Sequence, residues 1–214
     1  MKVFSATESD LTSIAILHSR VFASSISSRL GFKFCRRSFQ WYLNDSRCFL
    51  IFLMNDTNEI IGYCGGMLAL PGKPGSATSM IQFAFKQAVL GFLRKPWLLF
   101  HSEVRCHWPL VLRNVKLKMG LRTRSPRINP KPKLVSPPSM GLVVIGVAPE
   151  ARNQGIGQVL LAEFERFTRS SGVKEAHLSV KKNNHQAHRA YSKSGWIRSA
   201  QVESDNYIYT KLLI

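Results

Sequence analysis

The sequence predicts a mixed α/β (α+β) domain, a sheet flanked by helices with a basic helical insertion between its third and fourth strands. Three observations carry this. Short apolar, β-branched or aromatic runs alternate with stretches of helical periodicity. Two pairs of such runs lie close enough in sequence to form antiparallel hairpins. The composition also changes after Leu70 and again after Ser139. At 214 residues the chain suits a single domain, 1–214, with 80–138 inserted in it.

The elements follow in order. Val3-Phe4 reads as a short opening strand. Thr7 or Ser9 N-caps a helix in which Leu11, Ile14, Leu17, His18 and Val21 recur at helical spacing. A second helix spans Phe32 to Leu43 and ends at Asn44-Asp45. Cys48–Met54 is a buried strand, NDTNE a turn and Ile60–Leu70 the hairpin partner, with Gly65-Gly66 marking a bulge. Pro71 to Ser79 breaks the pattern. Beyond it, Ile81, Phe85, Ala88, Val89 and Phe92 give a helix running to Lys95. Trp97–Trp108 forms another helix, and Pro109 starts a third that ends near Met119. Arg122 to Pro138, rich in Pro, Lys and Arg, reads as an extended linker. Gly141–Val147 is a buried strand by its β-branched content. APEARNQGIG is a glycine-rich turn into the helix Gln158–Ser170, whose Leu160, Leu161, Phe164 and Phe167 point inward. AHLSV is a strand, and NNHQAHRAYSKSG is a capped helix ending at Gly195. Trp196–Val202 and Tyr207–Leu213 close the chain as an antiparallel pair.

Charge narrows the classes of partner. Lys and Arg total 30 against 12 Asp and Glu, a formal net charge of +18. Ile81–Val135 holds 12 of those bases and one acid, Glu103, so it carries +11 by itself. Such a surplus points to nucleotide phosphates, nucleic acid or an anionic membrane. Nucleic acid is disfavoured, because no zinc-finger or RNP-type motif is present. Cys35, Cys48, Cys64 and Cys106 form no CxxC pair and no zinc spacing with histidine, so no metal is expected and a reducing cytoplasm fits. The N-terminus lacks the apolar core of a secretory signal, and no apolar run is long enough to span a bilayer. The expectation is a cytoplasmic protein that at most lies on a membrane through 80–138.

The chemistry concentrates in VIGVAPEARNQGIG (Val144–Gly157). A buried strand runs into a glycine loop that opens a helix, which is an anion site in the making: backbone N–H groups without helical partners converge there and the helix dipole adds positive charge. The spacing fails both GxGxxG and GxxxxGK[ST], which excludes the dinucleotide fingerprint and the phosphate loop. What remains is Arg152-x-x-Gly155-x-Gly157. This resembles the GNAT superfamily of acyl-CoA-dependent N-acetyltransferases, whose signature is Q/R-x-x-G-x-G/A in this strand–loop–helix setting, with Val147-x-Pro149 as the usual approach. A second block, Asn184-x-x-Ala187-x-x-Ala190-Tyr191 followed by Gly195-Trp196, resembles the family's Asn-x-x-Ala-x-x-x-Tyr block. The resemblance covers Ser139 to Ile214, and Met1 to Leu70 by element order.

The resemblance implies a GNAT-like mixed, mostly antiparallel twisted sheet, with acetyl-CoA as co-substrate. The strand at Ile145 and Val147 would splay from its neighbour and lend backbone groups to the pantetheine arm. The amides of Arg152, Asn153, Gln154, Gly155, Ile156, Gly157 and Gln158 would hold the diphosphate. Asn184, with Ala187 in the same block, would serve the cofactor's amide-bearing arm. Tyr191 would be the general acid for the departing thiolate, its alternative role being a helix tyrosine packed on Trp196. No general base stands out: Glu103, His101 and His107 are candidates beside a water chain, and Glu103 reads equally well as a surface ion pair with Arg105. His185 and His188 read as solvated. The insertion would flank the acceptor, a small-molecule amine, with Phe83, Phe85, Phe92, Trp97, Phe100 and Trp108 as lining candidates. Its charge would suit an anionic acceptor such as a nucleotide-linked amino sugar. A protein N-acetyltransferase and a non-enzymatic basic membrane- or nucleic-acid-binding module are the alternatives.

Overall fold

The structure is a computed structural model that describes residues 1–71, 77–101, 103–104, 137–203 and 205–213. Seven strands form one sheet in the order β1-β2-β3-β4-β5-β7-β6. They are β1 (Lys2–Ser5), β2 (Cys48–Met54), β3 (Ile60–Ala69), β4 (Ser139–Val147), β5 (Glu175–Lys181), β6 (Ile197–Glu203) and β7 (Asn206–Leu212). Every neighbouring pair is antiparallel except β4 and β5. The helices are α1 (Leu11–Val21), α2 (Ile26–Leu30), α3 (Phe32–Asn44), α4 (Ala77–Phe83), α5 (Phe85–Arg94), α6 (Ile156–Ser170) and α7 (His185–Lys193).

Helices cover both faces of β3 and β4, and glycines set how closely they approach. On one face, the Tyr42 ring of α3 lies where a side chain at Gly65 would stand, 2.7 Å from an ideal Cβ. On the other, Phe49 and Phe164 crowd the place where a side chain at Gly66 would stand. The glycine pair therefore lets α3 and α6 close on the sheet from opposite sides. Its register slips there too: Gly65 pairs with Val144 and Gly66 with Leu142, leaving Val143 as the bulged residue.

A buried polar cluster fastens α6 to the C-terminal strands. Glu165 accepts from Trp196 Nε1 (3.0 Å) and from Lys211 Nζ (2.8 Å), and Lys211 also donates to the Ser194 carbonyl (2.6 Å). Both charges are thus paired and hydrogen-bonded, the condition for ionised groups inside a fold. The cluster fixes Trp196, which walls one side of Tyr191.

Several expected elements differ. The N-cap of α1 is Asp10, and its carboxylate accepts the Thr7 amide at 2.8 Å instead of capping the helix. The short α2 was not foreseen. The helix expected from Ile81 to Lys95 is two helices broken at Ala84, whose ψ of 15° bends the chain so that Ala84 and Ala88 pack on Phe34. Pro96 stops α5, and a 3₁₀ turn, Pro96–Phe100, replaces the start of the helix expected at Trp97–Trp108. Trp97 and Phe100 are 63% and 80% exposed, and Phe83 lies under the Arg37 guanidinium at 3.9 Å. Phe167 is 38% exposed, though its ring meets Phe49 at 4.0 Å. β4 is buried only in part, because Val143, Val144, Ile145 and Val147 all keep some exposure. Cys106, His107, Trp108, the helix expected at Pro109–Met119 and the linker up to residue 136 lie outside the described residues. Among the described residues, no helix is long and apolar enough to cross a membrane, no cluster of three metal-ligating side chains occurs, and Cys35, Cys48 and Cys64 are free thiols.

Candidate active site

β4 and β5 are joined only at Met140–Ala176, Gly141–His177 and Leu142–Leu178. Beyond Leu142 they part, while β4 stays paired with β3 as far as Val147. The β5-facing edge of Val143–Val147, which includes Ile145 and Val147, therefore has no strand partner among the described residues. An unpaired edge inside a sheet is a place for an extended ligand to pair.

The loop after Val147 leads from this edge to α6. A 3₁₀ turn at Pro149–Ala151 is followed by two left-handed residues, Asn153 (φ 62°) and Gly155 (φ 79°). Gly155 occupies the N-cap of α6, and no side chain caps the helix. The amides of Asn153, Gln154, Gly155, Ile156 and Gly157 find no acceptor among the described residues. The amides at the two ends of the expected cradle are already engaged: Arg152 N–H reaches the Pro149 carbonyl (3.4 Å) and Gln158 N–H donates to the Gly155 carbonyl (2.9 Å). Five open amides at the N-terminus of a 15-residue helix converge as donors at the positive end of its dipole, an arrangement that favours an anion. The exposed Arg152 side chain adds a full positive charge beside it. The one acid in the loop, Glu150, is neutralised by Arg20 at 2.8 Å, and a backbone hydrogen bond together with Arg20 keeps its carboxyl below the ordinary range.

α7 follows β5, the other strand of the split pair. Asn184 is its N-cap, accepting the Ala187 amide at 3.1 Å through Oδ1. The Asn-x-x-Ala spacing is thus a capping geometry, and it leaves the Asn184 amide NH₂ as the group available to a ligand. Tyr191, 8% exposed, packs between Trp196 and Tyr209, with ring centroids 6.3 and 5.8 Å away. Its hydroxyl makes no hydrogen bond among the described residues. Burial, helped by Cys64, pushes its pKa up to about 12. Cys64 is the register partner of Ile145 on β4.

The profile of the Acetyltransferase (GNAT) family matches residues 120–196, the stretch that contains β4, the loop, α6 and α7. That stretch is similar to a GNAT acetyltransferase domain. The fold agrees with solved structures of low identity. A ribosomal-protein-alanine N-acetyltransferase from Brucella melitensis superposes with a TM-score of 0.58 at 16% identity, covering 100% of both chains. PaiA N-acetyltransferase from Thermoplasma acidophilum, solved with coenzyme A, gives 0.56 at 13%, covering 99% of both. An aminoglycoside 6'-N-acetyltransferase from Acinetobacter haemolyticus gives 0.55 at 13%, covering 95% of both. No curated protein matches by sequence.

Around this site, the expected base candidates take other roles. The Glu103 carboxylate accepts the Ile26 amide (3.0 Å) and Lys181 Nζ (2.5 Å), so its partner is a residue of β5; Arg105 lies outside the described residues. Burial works to raise the Glu103 pKa, but Lys181, the Ile26 amide and His101 outweigh it and hold the carboxyl below its ordinary range. Its lone pairs serve to clamp α2 and β5. His101 closes a turn with Ser24 and Glu103. His185 is exposed, but His188 is not solvated: Nδ1 meets the Tyr209 hydroxyl at 3.0 Å and Nε2 lies 3.2 Å from the Lys181 and Lys182 carbonyls.

A buried line of polar groups escaped the sequence reading. His18 Nδ1 lies 2.6 Å from the Tyr63 hydroxyl and Nε2 lies 2.9 Å from Ser27 Oγ. With one ring nitrogen donating and the other accepting, the neutral imidazole satisfies both contacts. Burial lowers the His18 pKa from 6.5 to about 4. Between those values the unfolded chain binds a proton that the folded chain refuses, so the stability this neutral imidazole contributes is full above about pH 6.5 and is lost as pH falls towards about 4. The loss expected from this residue is on the order of 3 kcal/mol. Urea unfolding from about pH 7 to about pH 4.5 should show the decline, and H18Q should flatten it; an undiminished slope in that variant would place the sensitivity elsewhere.

Proposed function

We propose that this protein transfers the acetyl group of acetyl-CoA to the primary amine of a small-molecule acceptor. The five open amides beside an unpartnered strand edge carry the reading. The amides of Asn153 to Gly157 and the Arg152 guanidinium hold the diphosphate. The free edge of β4 pairs with the pantetheine amides, and the Asn184 NH₂ meets the same arm. The neutral amine nitrogen adds to the thioester carbon to form the new C–N bond, and the C–S bond then breaks. A β4 backbone N–H stabilises the oxyanion between those events. Tyr191, protonated at every physiological pH, delivers a proton to the departing sulfur.

Two of the three acetyltransferases above are named for a ribosomal protein and for an aminoglycoside, so the fold serves both kinds of acceptor. A nucleotide-linked amino sugar is the second reading of the acceptor, favoured by the +11 charge of Ile81–Val135. Isothermal titration of the folded protein with acetyl-CoA is the test. The expected result is stoichiometric binding that competes with free coenzyme A; a folded protein that binds neither removes the proposal.

A further inference from the structure

An ordinary surface helix turns its large apolar residues to the core. α5 does the reverse. The residues it buries are its smallest, Ala88 and Gly91. Ala88 packs with Ala84 on Phe34, and a Cβ at Gly91 would stand 2.8 Å from the Leu30 carbonyl oxygen, so α5 lies close against α2. Val89, Leu90 and Leu93 are exposed, Leu93 by 73%, and Trp97 and Phe100 are exposed on the 3₁₀ turn that follows. Leu93 is a helical neighbour of both Val89 and Leu90, so the three form one stripe. Single apolar residues on a surface need no explanation, but a contiguous group marks a contact.

The stripe has a basic rim. Lys86 lies one turn before Leu90 and Arg94 one turn after it, and both are exposed. Lys95 Nζ donates to the Arg29 carbonyl (2.9 Å), which brings the exposed Arg29 of α2 to the end of α5. Residues 77–101 contain no acid. Among the described residues, none of these four bases takes part in an ion pair. Glu103, just beyond the turn, is held by Lys181 and the Ile26 amide.

Such a face is complementary to an apolar body with an anionic skin. A second copy would bring the same bases against each other on chains of net charge +18, which like-charge repulsion opposes. Residues 105–136 hold nine Lys and Arg and no acid, so that segment would also add like charge to the rim. A phospholipid bilayer supplies both parts. Its acyl chains take the stripe, its phosphates meet bases whose stems lie along apolar surface, and tryptophan favours the boundary between the two.

We propose that α5 and the turn after it form a docking face for an anionic phospholipid bilayer. Leu93, Trp97 and Phe100 enter the headgroup–acyl boundary, while Lys86, Arg94 and Arg29 meet lipid phosphates. The contact is shallow, about 5–10 Å deep, and each base near the surface contributes about fivefold in affinity.

Cosedimentation of the full chain with vesicles of phosphatidylcholine, alone or with about a third phosphatidylglycerol, tests this. Binding to the mixed vesicles should be at least about tenfold tighter than to phosphatidylcholine alone. L93D, W97D and the double variant K86E/R94E should each weaken it at least about tenfold. None should lower Tm, because the replaced side chains stand in solvent. Tryptophan emission should shift to the blue on binding, and W97F should remove the shift. Folded protein that ignores the mixed vesicles overturns the proposal. So does undiminished binding by L93D and W97D, which assigns the attraction to charge elsewhere in the chain. A fall in Tm of several degrees in L93D overturns it too, since the chain itself would then cover the stripe. So does a wild-type dimer that L93D dissociates, which gives the face to a second copy. No coenzyme enters these measurements, so their outcome is separate from that of the titration with acetyl-CoA.

Discussion

Y191F should lower kcat about 100-fold or more while leaving acetyl-CoA affinity within about twofold, the signature of a lost general acid and not of a lost binding contact. The phenyl ring keeps the packing on Trp196 and Tyr209, so the fold has no reason to change. The hydroxyl forms no bond among the described residues that the substitution would break. The pH profile adds a second reading. A phenol whose pKa burial raises to about 12 stays protonated throughout the usual assay range. No alkaline decline from this acid is therefore expected below about pH 11, and any decline at lower pH must come from another group. Stopped-flow or steady-state release of free thiol measures kcat, and calorimetry measures the affinity. Unchanged turnover in Y191F would reduce this tyrosine to a packing residue of α7.

Where a local pattern dictates the structure, it was readable. The β2–β3 hairpin, the bulge at its glycine pair and the loop into α6 all follow from runs of adjacent residues. The amides of Asn153 to Gly157 could be located for the same reason, since glycines followed by an amphipathic helix define a helix N-terminus. What escaped depends on partners far apart in the chain. His18 looks like one more position of an apolar helix face, and only Tyr63, 45 residues away, turns it into a buried relay. Glu103 finds Lys181 across 78 residues, where sequence proximity offered Arg105. In the insertion, Trp97 and Phe100 read as pocket-lining candidates on an expected helix, but Pro96 diverts the chain and both end in solvent. Periodicity states which residues share a face. It does not state whether anything covers that face.

G157D should act in opposite directions on the fold and on the ligand. An ideal Cβ at Gly157 meets only Val147 Cγ2, at 3.9 Å, so the side chain has room. A carboxylate in the first turn of α6 faces the positive end of the helix dipole, which stabilises the folded state by about 0.3–1 kcal/mol. For a chain of this size that is a rise in Tm of about 1–4 °C. The same charge stands beside the amides assigned to the diphosphate. Two unit charges about 4 Å apart repel by about 4 kcal/mol at an effective dielectric near 20, or nearly a thousandfold in affinity. Acetyl-CoA binding should therefore weaken at least 100-fold while the protein becomes no less stable. G157A serves as the steric control, because it adds the carbon without the charge, and a loss below about tenfold is expected there. Thermal unfolding and calorimetry on the same preparations give both values. Undiminished binding in G157D would show that the five open amides do not face the cofactor's phosphates, and the functional assignment would lose the observation on which it stands.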